Sequence, residues 1–393
     1  MAERIYLDWN ATAPLRPQAR AATVEALSAC GNPSSVHAEG RAVRRRVEEA
    51  RESVAALVGA EPRNVVFTSG GTEANVTALS PFLGTGPDSA PRDCLVISAI
   101  EHPSVLAGGR FPRDAIETVP VTADGGLDLA ALARQLAALA ERGRQRPLVS
   151  VMLANNETGV LQPVSQVAAL TQAAGGLCHV DAVQAAGRIP CNINELGADL
   201  LTLSGHKIGG PKGVGAVIKR DHGLYFTDPL IKGGGQERGA RAGTESVAGI
   251  VGFGVAASAA RLGRAEESAR MAALRARLEA GLKDRMPATV VFGAGAERLP
   301  NTTLFALPGI KAETAVIALD LDGIAVSSGA ACSSGKVQPS HVLAAMGVAA
   351  PLAQGAIRIS LGPTTTESEV DRFLDAWIRL SKALLKGAHG IAA

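Results

Sequence analysis

One lysine stands between a histidine and a run of glycines in LLTLSGHKIGGPKGVG (Leu200 to Gly215), directly behind an aliphatic run. An amine held in a glycine-lined pocket away from water loses the solvation that keeps it charged, and it can then attack a carbonyl. Four further aliphatic runs end in polar groups in the same way. NVVFTS leads into Gly70, Gly71, Thr72 and Glu73; CLVISAI into Glu101, His102 and Pro103; LVSVMLA into Asn155, Asn156, Glu157 and Thr158; GLCHV into Asp181 and Gln184. The lysine-bearing run adds Ser204, His206 and Lys207.

Short aliphatic runs alternating with helical patterns predict a parallel sheet wrapped by helices, an α/β architecture. In such sheets the ligand crevice lies outside the carboxyl ends of the strands. Thr72, His102, Asn156, Asp181, Gln184, Ser204, His206 and Lys207 are therefore expected to converge. Each taken alone has an ordinary explanation: Asn and Asp cap helices, Thr72 can be an N-cap, and His102 can be a satisfied polar group. Five coincidences are harder to dismiss. A desolvated amine, an acid able to pair with a pyridinium nitrogen, and a Gly-Thr turn that opens a helix toward phosphate together describe a site for pyridoxal phosphate.

The rest of the chain sets limits. Its 393 residues suit a large domain with a smaller companion. Lys and Arg number 39 against 37 Asp and Glu, so no electrostatic footprint for nucleic acid stands out. The arginines of RAVRRRVEEARESVAALVG are read as one face of a solvated amphipathic helix. No run approaches the roughly 18 apolar residues that span a bilayer, and no apolar leader opens the chain, which gives the expectation of a soluble cytoplasmic protein. Five cysteines (Cys30, Cys94, Cys178, Cys191, Cys332) without a C-x-x-C pair argue against a disulfide framework and a zinc knuckle. Cys94 and Cys178 lie in or beside apolar runs and read as small buried hydrophobes. Cys332, in SSGAACSSGKVQPSHVL, has only small neighbours and reads as a thiol on an exposed loop.

Two stretches are linker candidates: IKGGGQERGARAGTE (Ile231 to Glu245) and the disruption around RLPNTTLFALPG. Between them lies a long charged, alanine-rich helix pattern. Beyond it, ATVVFG, TTLFALPG and AIRISLG read as strands and ETAVIALDLDG as a helix ending at Gly323, an α+β second domain.

SGHKIGGPKGVG resembles the cofactor-lysine motif of the cysteine desulfurases, the NifS/IscS-like group of fold-type I pyridoxal phosphate enzymes in the class V aminotransferase family. YLDWNATAP, GNPSSVHAEGR, FTSGGTEANV, EHPSV, NNETG, HVDAVQAAG, GGGQERGARAGTE, SSGAACSSG and IRISLG resemble that family in the family's order, from about Tyr6 to Gly362. The resemblance implies a large domain (14–258) with a mainly parallel seven-stranded sheet. It also implies a small α+β domain (1–13 and 259–393) carrying the cysteine loop. It implies that Lys207 forms the Schiff base with pyridoxal 5'-phosphate, that Asp181 faces the pyridine nitrogen, and that Gln184 touches the ring oxygen. His102 would stack on the ring and relay protons, while Gly71, Thr72, Ser204 and His206 would hold the phosphate. In a homodimer, Thr244 would reach the partner's phosphate.

Asn156 and Arg358 would receive the carboxylate of L-cysteine, and Cys332 would take its sulfur as a persulfide for a protein acceptor such as an iron–sulfur scaffold. That implies sulfur supply for iron–sulfur cluster assembly, nitrogenase's included. No resident metal, membrane or nucleic-acid partner is implied; Cys332 is the one candidate for transient contact with a cluster. Two positions depart from the family pattern: Pro363 stands where many relatives carry arginine, and Gly209 where an aromatic is common.

Other classes remain open on residues alone. IALDLDGIAV resembles the opening of a haloacid dehalogenase-type phosphatase with Asp320 as nucleophile, although too little chain follows. GGPKGVG with Lys212 lacks the spacing of a nucleotide-binding loop. An aminotransferase or β-lyase would keep fold and cofactor and leave Cys332 dispensable, and a non-enzymatic cluster scaffold finds little support in five unpaired cysteines.

Overall fold

The computed structural model describes residues 4–84, 86, 89–329 and 339–390; Cys332 lies outside them. Its largest element is a seven-stranded sheet in the order Val65–Thr68, Gly215–Lys219, Leu200–Ser204, Leu177–Asp181, Pro147–Met152, Cys94–Ser98 and Ile116–Val119. Only Gly215–Lys219 runs against the rest, pairing antiparallel with both neighbours. The five strands that end in polar residues therefore point the same way, and their carboxyl ends share one edge.

The strand sequences explain this placement. LLTLS, CLVIS and PLVSVM are buried at every position, as strands covered on both faces by helices must be. Helix Ala38–Leu57 forms as the arginine-rich pattern predicts: it buries Val43, Val47, Ala50, Val54 and Leu57 and turns most of its charged side chains outward. Buried Arg51 is the exception.

A 39-residue helix, Val247–Arg285, ties two apolar cores together. Its Ile250, Phe253, Ala256 and Ala257 belong to the core of the large sheet. Leu274, Leu278 and Leu282 belong to a second core with Phe305, Phe373 and Trp377. That second core is built on an antiparallel sheet ordered Val290–Val291, Thr302–Ala306, Ile357–Ser360, Ser327–Ser328, with Phe305 and Trp377 packed edge to face at 5.3 Å. The strand Ile5–Tyr6 pairs with Ile324–Ala325, so the start of the chain joins this second core and then crosses to the first.

Neither linker candidate behaves as a linker. In 231–245, Glu237 is buried against Arg51, and Arg241 pairs with Glu73 at 2.9 Å, so the segment is bound to the large sheet's helices. RLPNTTLFALPG contains Thr302–Ala306, a buried inner strand of the second sheet. Pro and Gly marked turns there, not a separation between bodies.

The phosphatase reading fails on geometry. Asp320 is exposed on helix Ala312–Leu321 and paired with Arg4, and Gly323 at φ +82° ends that helix. Lys212 of the nucleotide-loop reading is exposed, beyond the sheet edge.

Candidate active site

A cavity of about 220 Å³ opens at the shared carboxyl edge of the sheet, and nine of the twelve residues singled out from sequence line it. Gly71 and Thr72 come from the first turn of helix Gly71–Ala78, His102 from the turn after Cys94–Ser98, and Asn156 from the turn after Pro147–Met152. Asp181 ends its strand, Gln184 follows it, and Ser204, His206 and Lys207 come from the end of Leu200–Ser204. Arg358 lies behind this lining and Thr244 is exposed elsewhere.

The Lys207 amine donates to the carbonyls of Asn10 (2.5 Å) and Ala11 (2.9 Å), which the start of the chain brings across the sheet edge. Burial, then the charges of Arg358 and Arg188, push its pKa down to about 7, so the neutral, nucleophilic amine is accessible near neutrality. Asp181 is fixed through both oxygens: Oδ1 accepts from the Val183 amide at 2.9 Å and Oδ2 from Asn75 Nδ2 at 2.8 Å. Gln184 donates to the Asn10 carbonyl at 3.0 Å and accepts from Arg188 at 2.8 Å.

His102 is both a cap and a cavity residue. Its Nδ1 accepts from the Ser104 amide at the start of helix Pro103–Leu106, which leaves Nε2 for the cavity. Thr72 is not a cap, because Gly70 holds the N-cap position of its helix. At Gly71 a Cβ would lie 3.3 Å from both Ser204 Cβ and Val183 Cγ2, so the backbone approaches the next strand end closely. His206 bonds Thr12 at 3.1 Å, and burial, then Lys207 and Lys212, push its pKa to about 4.

The donor set fits pyridoxal phosphate. It combines a readily neutral amine, an anchored carboxylate, and a helix N-terminus beside Ser204 and His206 for a phosphate.

Sequence reasoning gave no role to Asn10, Asn75 or Asp8. Asn10 holds the crossing segment through Ser360 Oγ (2.9 Å), Thr302 Oγ1 (2.9 Å) and Asn301 (3.1 Å). Asp8 Oδ1 accepts from Arg358 at 2.8 Å, while Arg358 also donates to the Asn156 carbonyl at 2.9 Å and its buried Nε has no partner among the described residues. All three lay inside motif strings, YLDWNATAP and FTSGGTEANV, as the only signal of their importance.

Both departures from the family pattern, Gly209 and Pro363, line a second cavity of about 310 Å³ on the other side of Lys207, with Trp9 and Arg16. Gly209 has φ +83°, and a Cβ there would fall 2.6 Å from Arg16 Cγ, so in this chain Arg16 occupies the space a side chain would need. Cys94 and Cys178 are buried, as their apolar setting predicts, and so is Cys191; Cys30 is exposed. Burial pushes Cys94 and Cys191 up to about 12, and Cys178 still higher, which makes all three poor nucleophiles. Among the described residues, no group of three or more His, Cys, Asp or Glu could hold a metal ion, and no helix is long and apolar enough to cross a membrane.

The family model described as aminotransferase class-V matches residues 5–373. A cysteine desulfurase of Cereibacter sphaeroides is 47% identical over 379 residues, 95% of this chain and 94% of that protein. The cysteine desulfurase IscS of Dictyoglomus turgidum is 38% identical, covering 98% of this chain and 96% of that one. Among solved structures, a NifS-like protein from Rickettsia africae superposes with a TM-score of 0.87 at 36% identity, covering 97% of this chain and all of that one.

Proposed function

The chain belongs to the class-V aminotransferase family as a pyridoxal phosphate-dependent cysteine desulfurase, and from that premise we propose how its residues divide the work and where the sulfur goes. The reaction converts L-cysteine to L-alanine and passes on the sulfur. When bound, the cofactor supplies an aldehyde that condenses with amines and a ring that draws electrons from the substrate's α-carbon.

The observation that carries the assignment of roles is the Lys207 amine, with its pKa lowered to about 7, lining the same cavity as the anchored Asp181 carboxylate. Lys207 holds the cofactor and then takes the α-proton, a task suited to a base whose pKa lies near the working pH. Asp181 would keep the ring nitrogen protonated, Gln184 would meet the ring oxygen, and His102 would cover the ring. Gly71, Thr72, Ser204 and His206 would hold the phosphate, and in a homodimer Thr244 of each chain would reach the other's cavity.

Asn156 and Arg358 receive the substrate carboxylate, and the Arg358 Nε, which has no partner among the described residues, supports this role as a donor a carboxylate could satisfy. The Cys332 thiolate attacks the substrate sulfur. An S–S bond forms, the Cβ–S bond breaks, its electron pair stays with carbon, and protonation there releases alanine. Cys332 keeps the sulfur as a persulfide until a protein acceptor such as an iron–sulfur scaffold takes it, in the cytoplasm. The chain divides for this work into a cofactor domain, 14–258, and a small domain, 1–13 with 259–393, that carries the cysteine.

The test is the protein's visible absorbance followed by turnover with L-cysteine and excess thiol. Alanine and sulfide are expected in equal amounts. Cys332→Ala is expected to retain the cofactor absorbance and lose sulfide release by on the order of 10²-fold or more. Undiminished sulfide release in that variant would remove the persulfide route, and pyruvate in place of alanine would identify a β-lyase.

A further inference from the structure

Arg188, which directly follows HVDAVQAAG, is a buried cation: it is 7% exposed, and no carboxylate pairs with it among the described residues. Burying a charge without a counter-charge is costly, so a chain that keeps one there has a use for it. The guanidinium is satisfied by neutral oxygens instead. Its Nη1 donates to the main-chain carbonyl of Gln184 at 2.6 Å and to Gln184 Oε1 at 2.8 Å, while Nη2 faces the carbonyls of Trp9 at 3.4 Å and Lys207 at 3.5 Å.

These acceptors belong to three separate pieces of the cavity wall, and the contacts close on themselves. Arg188 donates to Gln184 Oε1, Gln184 Nε2 donates to the Asn10 carbonyl at 3.0 Å, the Lys207 amine donates to that same carbonyl at 2.5 Å, and the Lys207 carbonyl faces Arg188 again. The charges around the amine are not equivalent. Arg358 carries its own counter-charge, Asp8, at 2.8 Å, and Arg16, which lines the second cavity beside Lys207, carries Glu267 at 2.8 Å. His206 is held neutral at ordinary pH by its lowered pKa of about 4, and burial lowers His102 as well. Asp181 is the remaining charged group, and it acts on the amine in the opposite sense to the arginines.

We propose that Arg188 is a positioning residue for the cofactor lysine: it closes the ring of hydrogen bonds that seats the Lys207 amine, and it places behind that amine a positive charge with no carboxylate of its own, which favours the neutral form. Arg188 touches neither substrate nor cofactor in this scheme. Burial is the largest cause of the lowered Lys207 pKa, and Arg358 and then Arg188 add to it, against Asp8 and Asp181. Burial and Arg358 bring Arg188 itself down only to about 10, which leaves it charged at neutral pH.

The test reads the amine directly. In the full-length apoprotein, acetylation of Lys207 is followed across pH by mass spectrometry of its peptide, because only the neutral amine reacts, and the parent midpoint is expected at about 7. Arg188→Met should raise that midpoint by about one pH unit. Arg188→Gln keeps an amide donor but no charge and should raise it as far, whereas a role in packing and hydrogen bonding alone would let glutamine restore the parent value. In the holoenzyme, the pH at which the lysine-bound cofactor's visible absorbance changes should move upward too. A folded Arg188→Met or Arg188→Gln protein with the parent midpoint overturns the proposal; if neither folds, a parent midpoint near the ordinary 10.5 overturns it. The proposal rests on reading Lys207 as the cofactor lysine: a protein without lysine-bound cofactor absorbance would remove that reading, while the apoprotein titration would still decide what Arg188 does to the amine.

Discussion

Lys207→Ala is expected to yield a protein that carries no lysine-bound cofactor absorbance and whose desulfurase turnover falls by at least about 10²- to 10⁴-fold, the range for losing a positioned proton-transfer group alone. Loss of cofactor attachment adds to it. The same replacement should alter the pH dependence of apoprotein stability, in a direction fixed by the lysine's surroundings. The Lys207 pKa is about 7 in the folded chain against an ordinary 10.5, so between those values the unfolded chain binds more protons. Folding stability from this group therefore rises with pH from about 7 toward 10.5, by about 1.4 kcal/mol per pH unit, and is lost as pH falls. Denaturant unfolding of parent and Lys207→Ala apoproteins at about pH 7 and about pH 9 would show this as a difference between the two. The three buried thiols, whose raised pKa values lower stability above their ordinary value of 9.0, cancel in that comparison. Parallel pH profiles would mean that the amine is not strained toward neutrality.

Why so much of this site could be read from the sequence is visible in the topology. Five strands of one direction bring their carboxyl ends to one edge, so residues separated by more than a hundred positions meet without any knowledge of pair contacts. The single antiparallel strand, Gly215–Lys219, could not be read that way, because GAVIK is as aliphatic as its parallel neighbours. Asn75 escaped for a different reason. An asparagine inside a helix reads as solvated or helix-weakening, and its importance depends on register across three elements, with Thr202 and Asp181 on adjacent strands. Asn10 escaped because the contact that matters is its backbone carbonyl, which every residue possesses. Arg358 stands behind the cavity because its strand belongs to the second sheet, and Asp8 and the Asn156 carbonyl hold it there. The glycine-rich stretch 231–245 misled in the opposite sense: composition advertised freedom, and two arginine–glutamate pairs remove it.

The stronger of those pairs should have the largest effect on stability. Strand Val65–Thr68 is the edge of the large sheet, and an edge strand presents N–H and C=O groups that invite pairing with another chain. Here Arg51 Nη1 donates to the Val65 carbonyl at 2.9 Å, and Glu237 Oε2 accepts from the Phe67 amide at 2.9 Å. The two side chains join in a bidentate pair at 2.7 and 2.9 Å, with the guanidinium 4.7 Å from the centre of the Phe67 ring. The ion pair thus closes the sheet edge with the hydrogen bonds a further strand would have made. Glu237 reaches it only with its backbone at φ +48°, followed by Arg238 at φ +57°, a conformation that non-glycine residues avoid and that needs a compensating contact. Glu237→Ala leaves the buried guanidinium only the half-exposed Glu48 carboxylate, 3.1 Å from its Nε, in place of its buried bidentate partner, and leaves an edge amide without an acceptor. The expected cost is about 3–5 kcal/mol of unfolding free energy, read as a lower denaturant midpoint. Hydrogen exchange locates the defect: the amide of Phe67 should lose protection before the amides of Leu177–Asp181, deep in the same sheet. Arg51→Met with Glu237→Leu should recover part of the folding free energy, because it removes the buried charge, but not the Phe67 protection, because it restores no acceptor. Full protection of Phe67 in Glu237→Ala would mean that this edge is closed by something other than the ion pair.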